Sequence, residues 1–148
     1  CERATALQPG NGVLWLNLGD ALRWKGERRP SWEAAYRRSI ELLEADLVLT
    51  PRDTELLTSL ALALAWTGRH DAARRKVDEA LELEPEDPNV LRYAALVYLA
   101  GGDTAKALWF LESAVARGYS VAELRHDPEL LRLKGEARFA RLTGARPG

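Results

Sequence analysis

Gly68-Arg69-His70-Asp71-Ala72-Ala73 returns 34 residues downstream as Gly102-Asp103-Thr104-Ala105-Lys106-Ala107, and the reading of the whole chain grows from that recurrence. At the same separation Leu57 falls on Leu91, Leu60 on Ala94, Ala61 on Ala95, Leu64 on Tyr98, Val77 on Leu111, Ala80 on Ala114 and Leu81 on Val115. An earlier copy lies 42 residues upstream, where Trp15, Leu18, Gly19, Leu22 and Gly26 precede Leu57, Leu60, Ala61, Leu64 and Gly68 in the same order. The additional residues form an insertion at 27–35, in which Pro30 and Ser31 supply a helix start. Repeats with a period of roughly 20–50 residues indicate a solenoid, because one unit cannot bury its apolar face alone and must stack on its neighbours.

Within each copy the apolar residues recur at three- and four-residue spacing, as in Leu57, Leu60, Ala61 and Leu64, then Ala73, Val77, Ala80 and Leu81. That is helical periodicity, twice per copy. Leu60-Ala61-Leu62-Ala63-Leu64-Ala65-Trp66 alternates superficially, but it contains no β-branched residue, and alanine and leucine are among the best helix formers. Gly26, Gly68 and Gly102 are placed to end the first helix of each copy in the left-handed conformation that glycine adopts cheaply. Pro51 and Pro85 follow the second helix, and Pro9 closes a copy whose first helix is missing. The segments read as 1–9 (a truncated repeat), 12–51, 54–85, 88–118 and a terminal stretch, 119–148.

A bulky residue followed by a small one, a glycine-ended turn, alanine at the crossing of the second helix and a closing proline together resemble the tetratricopeptide repeat over residues 1–118. Trp15-Leu16-Asn17-Leu18-Gly19-Asp20-Ala21-Leu22 is similar to that family's first-helix signature. The resemblance implies an all-α fold, a right-handed α-α superhelix of antiparallel helix pairs. Small residues at Gly19, Ala61 and Ala95, facing Ala73 and Ala107, permit close helix approach; the first full copy has Ser39 as its nearest equivalent, and Tyr119 stands where the third copy's proline is expected. Residues 119–148 resemble the short helical tail that ends such arrays in bacterial multidomain regulators, kinase-like or transcription-regulator proteins. Leu124, Leu130, Leu131, Leu133, Phe139 and Leu142 are the apolar residues with which this cap covers the last face of the solenoid.

In this family the first helix of each repeat lines a concave groove, which implies partner-binding positions at Leu16, Asp20, Arg23 and Trp24, at Thr58, Leu62 and Trp66, and at Asn89, Arg92 and Leu96. Val13, Glu55, Ala65 and Leu99 fall on the same faces. Trp24 and Trp66 occupy equivalent places in neighbouring copies. Two readings stand beside each other: amphipathic anchors for a peptide, or rings packed under the adjacent repeat as ordinary core. The Lys, Asn and Arg set with which one subgroup holds a C-terminal carboxylate is mostly missing, since the matching places hold Leu16, Asp20, Ser59, Asn89 and Tyr93, with Arg92 nearby.

Composition narrows the remaining classes. Lys plus Arg number 21 against 22 Asp plus Glu, so there is no net attraction to phosphate. Arg28-Arg29, Arg37-Arg38 and Arg74-Arg75 fall on or near second helices among acidic neighbours, which suits a solvated outer face rather than a base-reading groove. The apolar run Leu60–Trp66 is far shorter than the ~20 residues of a membrane span, and no signal-peptide pattern is present. His70 and His126 lie far apart, with Asp71 and Asp127 beside them suited to helix caps, and no nucleophile, base and orienter combine. Neither an enzyme nor a metal or cofactor site is expected; the partner is a protein or peptide. A homodimer is the alternative, through Ala4 and Leu7 of the severed half-repeat. With no methionine and Cys1 first, the chain is expected to be part of a longer protein, its lone cysteine making no internal disulfide.

Overall fold

The computed structural model describes residues 2–144; Cys1 and the last four residues of the 119–148 stretch lie outside the described residues. The helices run in chain order as α1 (Glu2–Leu7), α2 (Gly12–Trp24), α3 (Arg29–Leu49), α4 (Thr54–Trp66), α5 (His70–Leu83), α6 (Pro88–Ala100), α7 (Thr104–Ala116), α8 (Val121–His126), a 3-10 helix (Pro128–Leu133) and α9 (Ala137–Thr143). No strand occurs among the described residues, and none of their helices is long and apolar enough to cross a membrane.

The starts and stops follow from local chemistry. Asn11 accepts hydrogen bonds from the Val13 and Leu14 amides at 3.0 and 3.2 Å, and Asp53, Asp87, Asp103 and Ser120 cap α4, α6, α7 and α8 in the same manner. Second helices α3 and α5 instead have Arg28 and Arg69 at the N-cap, neither making a side-chain capping bond. Ser31 therefore does not cap α3; Pro30 sits in its first turn, where a missing N–H costs nothing. Asp71 likewise lies inside the first turn of α5, 3.6 Å from Arg74, rather than ahead of it. Gly68 and Gly102 take φ of 82° and 88° just past α4 and α6. The amides that follow them, Arg69 and Asp103, donate back to the Leu64 and Tyr98 carbonyls at 2.9 and 3.0 Å, which closes each helix end.

Three hairpins, α2/α3, α4/α5 and α6/α7, stack in a row, with α2, α4 and α6 side by side on one face and α3 and α5 behind them. Where α2 meets α3, a Cβ on Gly19 would lie 2.5 Å from the Tyr36 ring, so only glycine admits this approach. Ser39, fully buried in α3, donates its hydroxyl to the Gly12 carbonyl at 2.7 Å. At the later seams Ala61 and Ala73, and Ala95 and Ala107, are completely buried. Helix α3 has 21 residues against 14 in α5, a difference of about two turns. Its extra N-terminal length carries Trp32 edge-on against Tyr36.

The central helices are covered all round: Leu57–Ala65 of α4 and Ala94–Leu99 of α6 are continuously buried, as helices apolar on every face require. Part of that cover comes from beyond the third hairpin. Leu124, Leu130, Leu133 and Phe139 join the same core, and Leu142 packs against it. Complete burial of each of those three leucines contributes on the order of 2 kcal/mol. Leu131, expected to turn inward with them, is 52% exposed, because the tight 3-10 turn directs Leu130 and Leu133, three residues apart, to the same side. An Arg138–Glu112 ion pair ties α9 to α7, and Arg125 donates to the Thr143 carbonyl at 2.5 Å.

Candidate functional site

Across the face made by α2, α4 and α6 runs a cavity of about 400 Å³. Leu62 and Leu96, 34 residues apart on equivalent turns, line it together with Leu16, which stands one turn earlier on its own helix; Asp20, Trp24, Trp66, Arg92 and Tyr93 border it from the same helices. The opposite wall is supplied by the C-terminal segment, through Tyr119, Glu123, His126 and the run Asp127-Pro128-Glu129. A groove that would otherwise run open along the solenoid is thus walled on its far side by the chain itself, and this C-terminal wall is called its roof.

Two arginines fasten this roof. Arg23 donates to both carboxylate oxygens of Glu129, with Nη1 at 3.2 Å from Oε2, and its Nε donates to the Tyr36 hydroxyl at 2.9 Å. The Trp24 indole also donates to Glu129, at 2.7 Å. Arg92 donates to Asp127, with Nε 3.1 Å from Oδ2, while the other oxygen of Asp127 accepts the Glu129 amide at 2.9 Å and so starts the 3-10 helix. One carboxylate therefore caps a turn and binds a groove arginine together. The guanidiniums also stack: Arg23 lies 4.5 Å from the Trp66 ring centroid, and Arg92 lies 5.6 and 6.0 Å from those of Tyr93 and Tyr119.

Burial sets the electrostatics. Asp20 accepts the Tyr36 hydroxyl at 2.6 Å, yet its carboxyl is pushed up to about 6, because desolvation outweighs that hydrogen bond and the Arg23 charge while Glu129 adds repulsion. The Tyr36 phenol is raised well above its ordinary value by burial and then by Asp20. For Arg23 burial opposes the charge, but the bonds to Glu129 and Tyr36 win and strengthen its hold on the proton; at Arg92, Asp127 does the same against burial.

Of the ten groove positions read from the sequence, Leu16, Asp20, Trp24, Leu62, Trp66, Arg92 and Leu96 meet at this cavity, and Arg23 reaches its rim through Glu129. Thr58 and Asn89 do not. They lie in a separate depression with Glu55 and Tyr93. The buried Thr58 hydroxyl donates to the Thr54 and Glu55 carbonyls of its own helix. Ala65 and Leu99 are packed out of reach. The two tryptophans part company: Trp66 packs against the core beneath Arg23, whereas Trp24 stands 54% exposed at the rim. Arg92 is already engaged by Asp127, so the carboxylate-holding role considered for it with Asn89 has no basis in this arrangement. Asn17 and the C-terminal wall are not among the groove positions that the sequence indicates, and Tyr93 enters there only as a place matching the carboxylate-holding set. Among the described residues no cluster of three His, Cys, Asp or Glu is arranged to hold a metal. On the outer face Glu33 pairs with Arg29 and Arg37 at 2.9 and 2.8 Å, and Glu41 pairs with Arg38 at 2.9 Å.

No family model matches the chain. The uncharacterized protein y4yS of Sinorhizobium fredii (strain NBRC 101917 / NGR234) is 34% identical over 79 residues, which is 53% of this chain and 39% of that protein. A solved structure of MamA (AMB-1) superposes with a TM-score of 0.50 at 26% identity, covering 85% of this chain and 66% of MamA. The chain thus spans less than two thirds of either relative's length. With the stacked hairpins, the likeness to MamA establishes the architecture as an all-α helical-repeat solenoid of the tetratricopeptide-like kind.

Proposed function

We propose that the chain is a polypeptide-binding scaffold, with its repeats at 12–51, 54–85 and 88–118, and that it works as the partner-sensing arm of a larger regulatory protein. The observation that carries this reading is the convergence of Leu16, Leu62 and Leu96 with Trp24, Trp66, Asp20 and Arg92 on one concave cavity. An apolar floor with few polar groups at its border is what a polypeptide anchor needs. The tetratricopeptide-like likeness to MamA supports a protein partner. Panning a random-peptide library on the chain, with counter-selection on Asn17→Trp, tests it. Asn17 is exposed at the cavity border, so the variant fills the site without touching the core. Peptides that bind the native chain and lose the Asn17→Trp variant are the expected result; peptides that bind both equally would refute the groove.

Self-association is a second reading, favoured by exposed Leu7, Val48 and Leu49 (76%, 80% and 83%) at the ends of α1 and α3. Light scattering over a concentration series tests it. A dimer that dissociates in Val48→Lys/Leu49→Glu supports the reading, and a monomer at all concentrations removes it.

A further inference from the structure

We propose that the cavity receives one lysine side chain of the partner polypeptide, its stem on the leucine floor and its ammonium at the rim that Trp24, Asp20 and Glu123 border. This rests on the reading that the groove binds polypeptide. The C-terminal segment is held by three fully buried leucines and by its ion pairs with Arg23 and Arg92, so a partner meets a cavity walled on the side opposite the helices. At about 400 Å³ it has room for a side chain.

The charges that remain select the sign of the guest. Glu129 is matched by Arg23 and Asp127 by Arg92, one to one. Among the described residues Glu123 is in no ion pair, and Asp20 only shares Arg23, at 3.5 Å, with Glu129. The lining is therefore left with an excess of negative charge once its internal pairs are formed. Arg23 already covers Trp66 and Arg92 lies near Tyr93 and Tyr119, whereas no cation among the described residues lies over the half-exposed ring of Trp24. A long alkylammonium suits this combination of apolar floor, open indole and carboxylate rim.

The probe is the capped pentapeptide Ala-Ala-Lys-Ala-Ala, titrated into the full chain while the Trp24 indole N–H is followed by NMR. Versions carrying norleucine or glutamate in place of the lysine, and free 1,4-diaminobutane, serve as comparisons. The lysine peptide is expected to bind roughly tenfold more tightly than the norleucine peptide, and Glu123→Gln, at an exposed position, to weaken it while leaving the melting temperature unchanged. Equal binding of the norleucine peptide, preference for glutamate, or insensitivity to Glu123→Gln would overturn the proposal. Tighter binding of the diamine than of the peptide would also overturn it, by assigning the cavity to a small amine. If panning yields Asn17→Trp-sensitive peptides without a basic residue, the scaffold reading stands and the lysine site falls.

Discussion

Replacing Asp20 by asparagine separates the electrostatics of the groove from its shape. The asparagine amide keeps an oxygen for the Tyr36 hydroxyl, 2.6 Å from the carboxylate in the native chain, and discards only the charge. The native carboxyl titrates at about 6 in the folded chain against 3.8 in the reference state, mainly because of burial. Below the lower value both states are protonated and the charge has no influence. Between the two values the folded state binds more protons than the unfolded, so stability falls as pH rises; above about 6 both are ionised and the folded state carries the full penalty. A shift of about two units corresponds to roughly 3 kcal/mol. Asp20→Asn is therefore expected to match the native chain near pH 4 and to exceed its stability by roughly 2–3 kcal/mol at pH 7. Urea unfolding followed by far-UV circular dichroism at several pH values measures this difference, and titrating groups remote from Asp20 cancel between the two chains. A difference that is flat across this range, or that shrinks as pH rises, would refute the desolvated carboxylate.

Other positions test the packing. Gly19→Ala places a methyl 2.5 Å from the fully buried Tyr36 ring and is expected to cost about 1–3 kcal/mol, read as a lowered thermal midpoint. Gly68→Ala meets no neighbour within 4 Å but must hold φ near 82°; a loss of about 1–2 kcal/mol in urea is expected from backbone strain alone. Leu130→Ala removes one anchor of the roof at a buried site and is expected to cost about 2–5 kcal/mol. It is also expected to change Trp24 fluorescence, since the preceding residue, Glu129, accepts the Trp24 indole N–H. Unchanged emission in a folded Leu130→Ala chain would detach the roof from the groove.

What the sequence makes legible is whatever repeats. The return of Gly68 as Gly102 marks two left-handed helix ends, and the common registers of Leu62 with Leu96 and of Trp24 with Trp66 follow from stacking like units. Residues outside that periodicity are read less well. Thr58 and Asn89 occupy the expected helices, but hydrogen bonding within the helix and a sideways placement remove them from the main cavity. Ser31 and Asp71 look like helix caps by residue type, yet the backbone begins its turn before them. The largest omission is Asp127 with Glu129. Glu129 reaches Arg23 across 106 residues, a contact between the first hairpin and the end of the array that nearest-neighbour repeat logic does not contain. Asp127-Pro128-Glu129 reads locally as a helix start, which it also is, and its second role exists only once the solenoid has curved to meet it.

Five tryptophans give the groove its own reporters. Trp24 and Trp66 border the cavity; Trp15 is bonded to the Pro9 carbonyl, Trp32 packs on Tyr36, and Trp109 stands exposed on α7. Titrating ¹⁵N-labelled chain with a peptide recovered by panning, and following the five indole N–H resonances, tests the binding face directly. The account predicts shifts at Trp24 and Trp66 while Trp15, Trp32 and Trp109 stay in place. Movement of those three with Trp24 and Trp66 unmoved would contradict it.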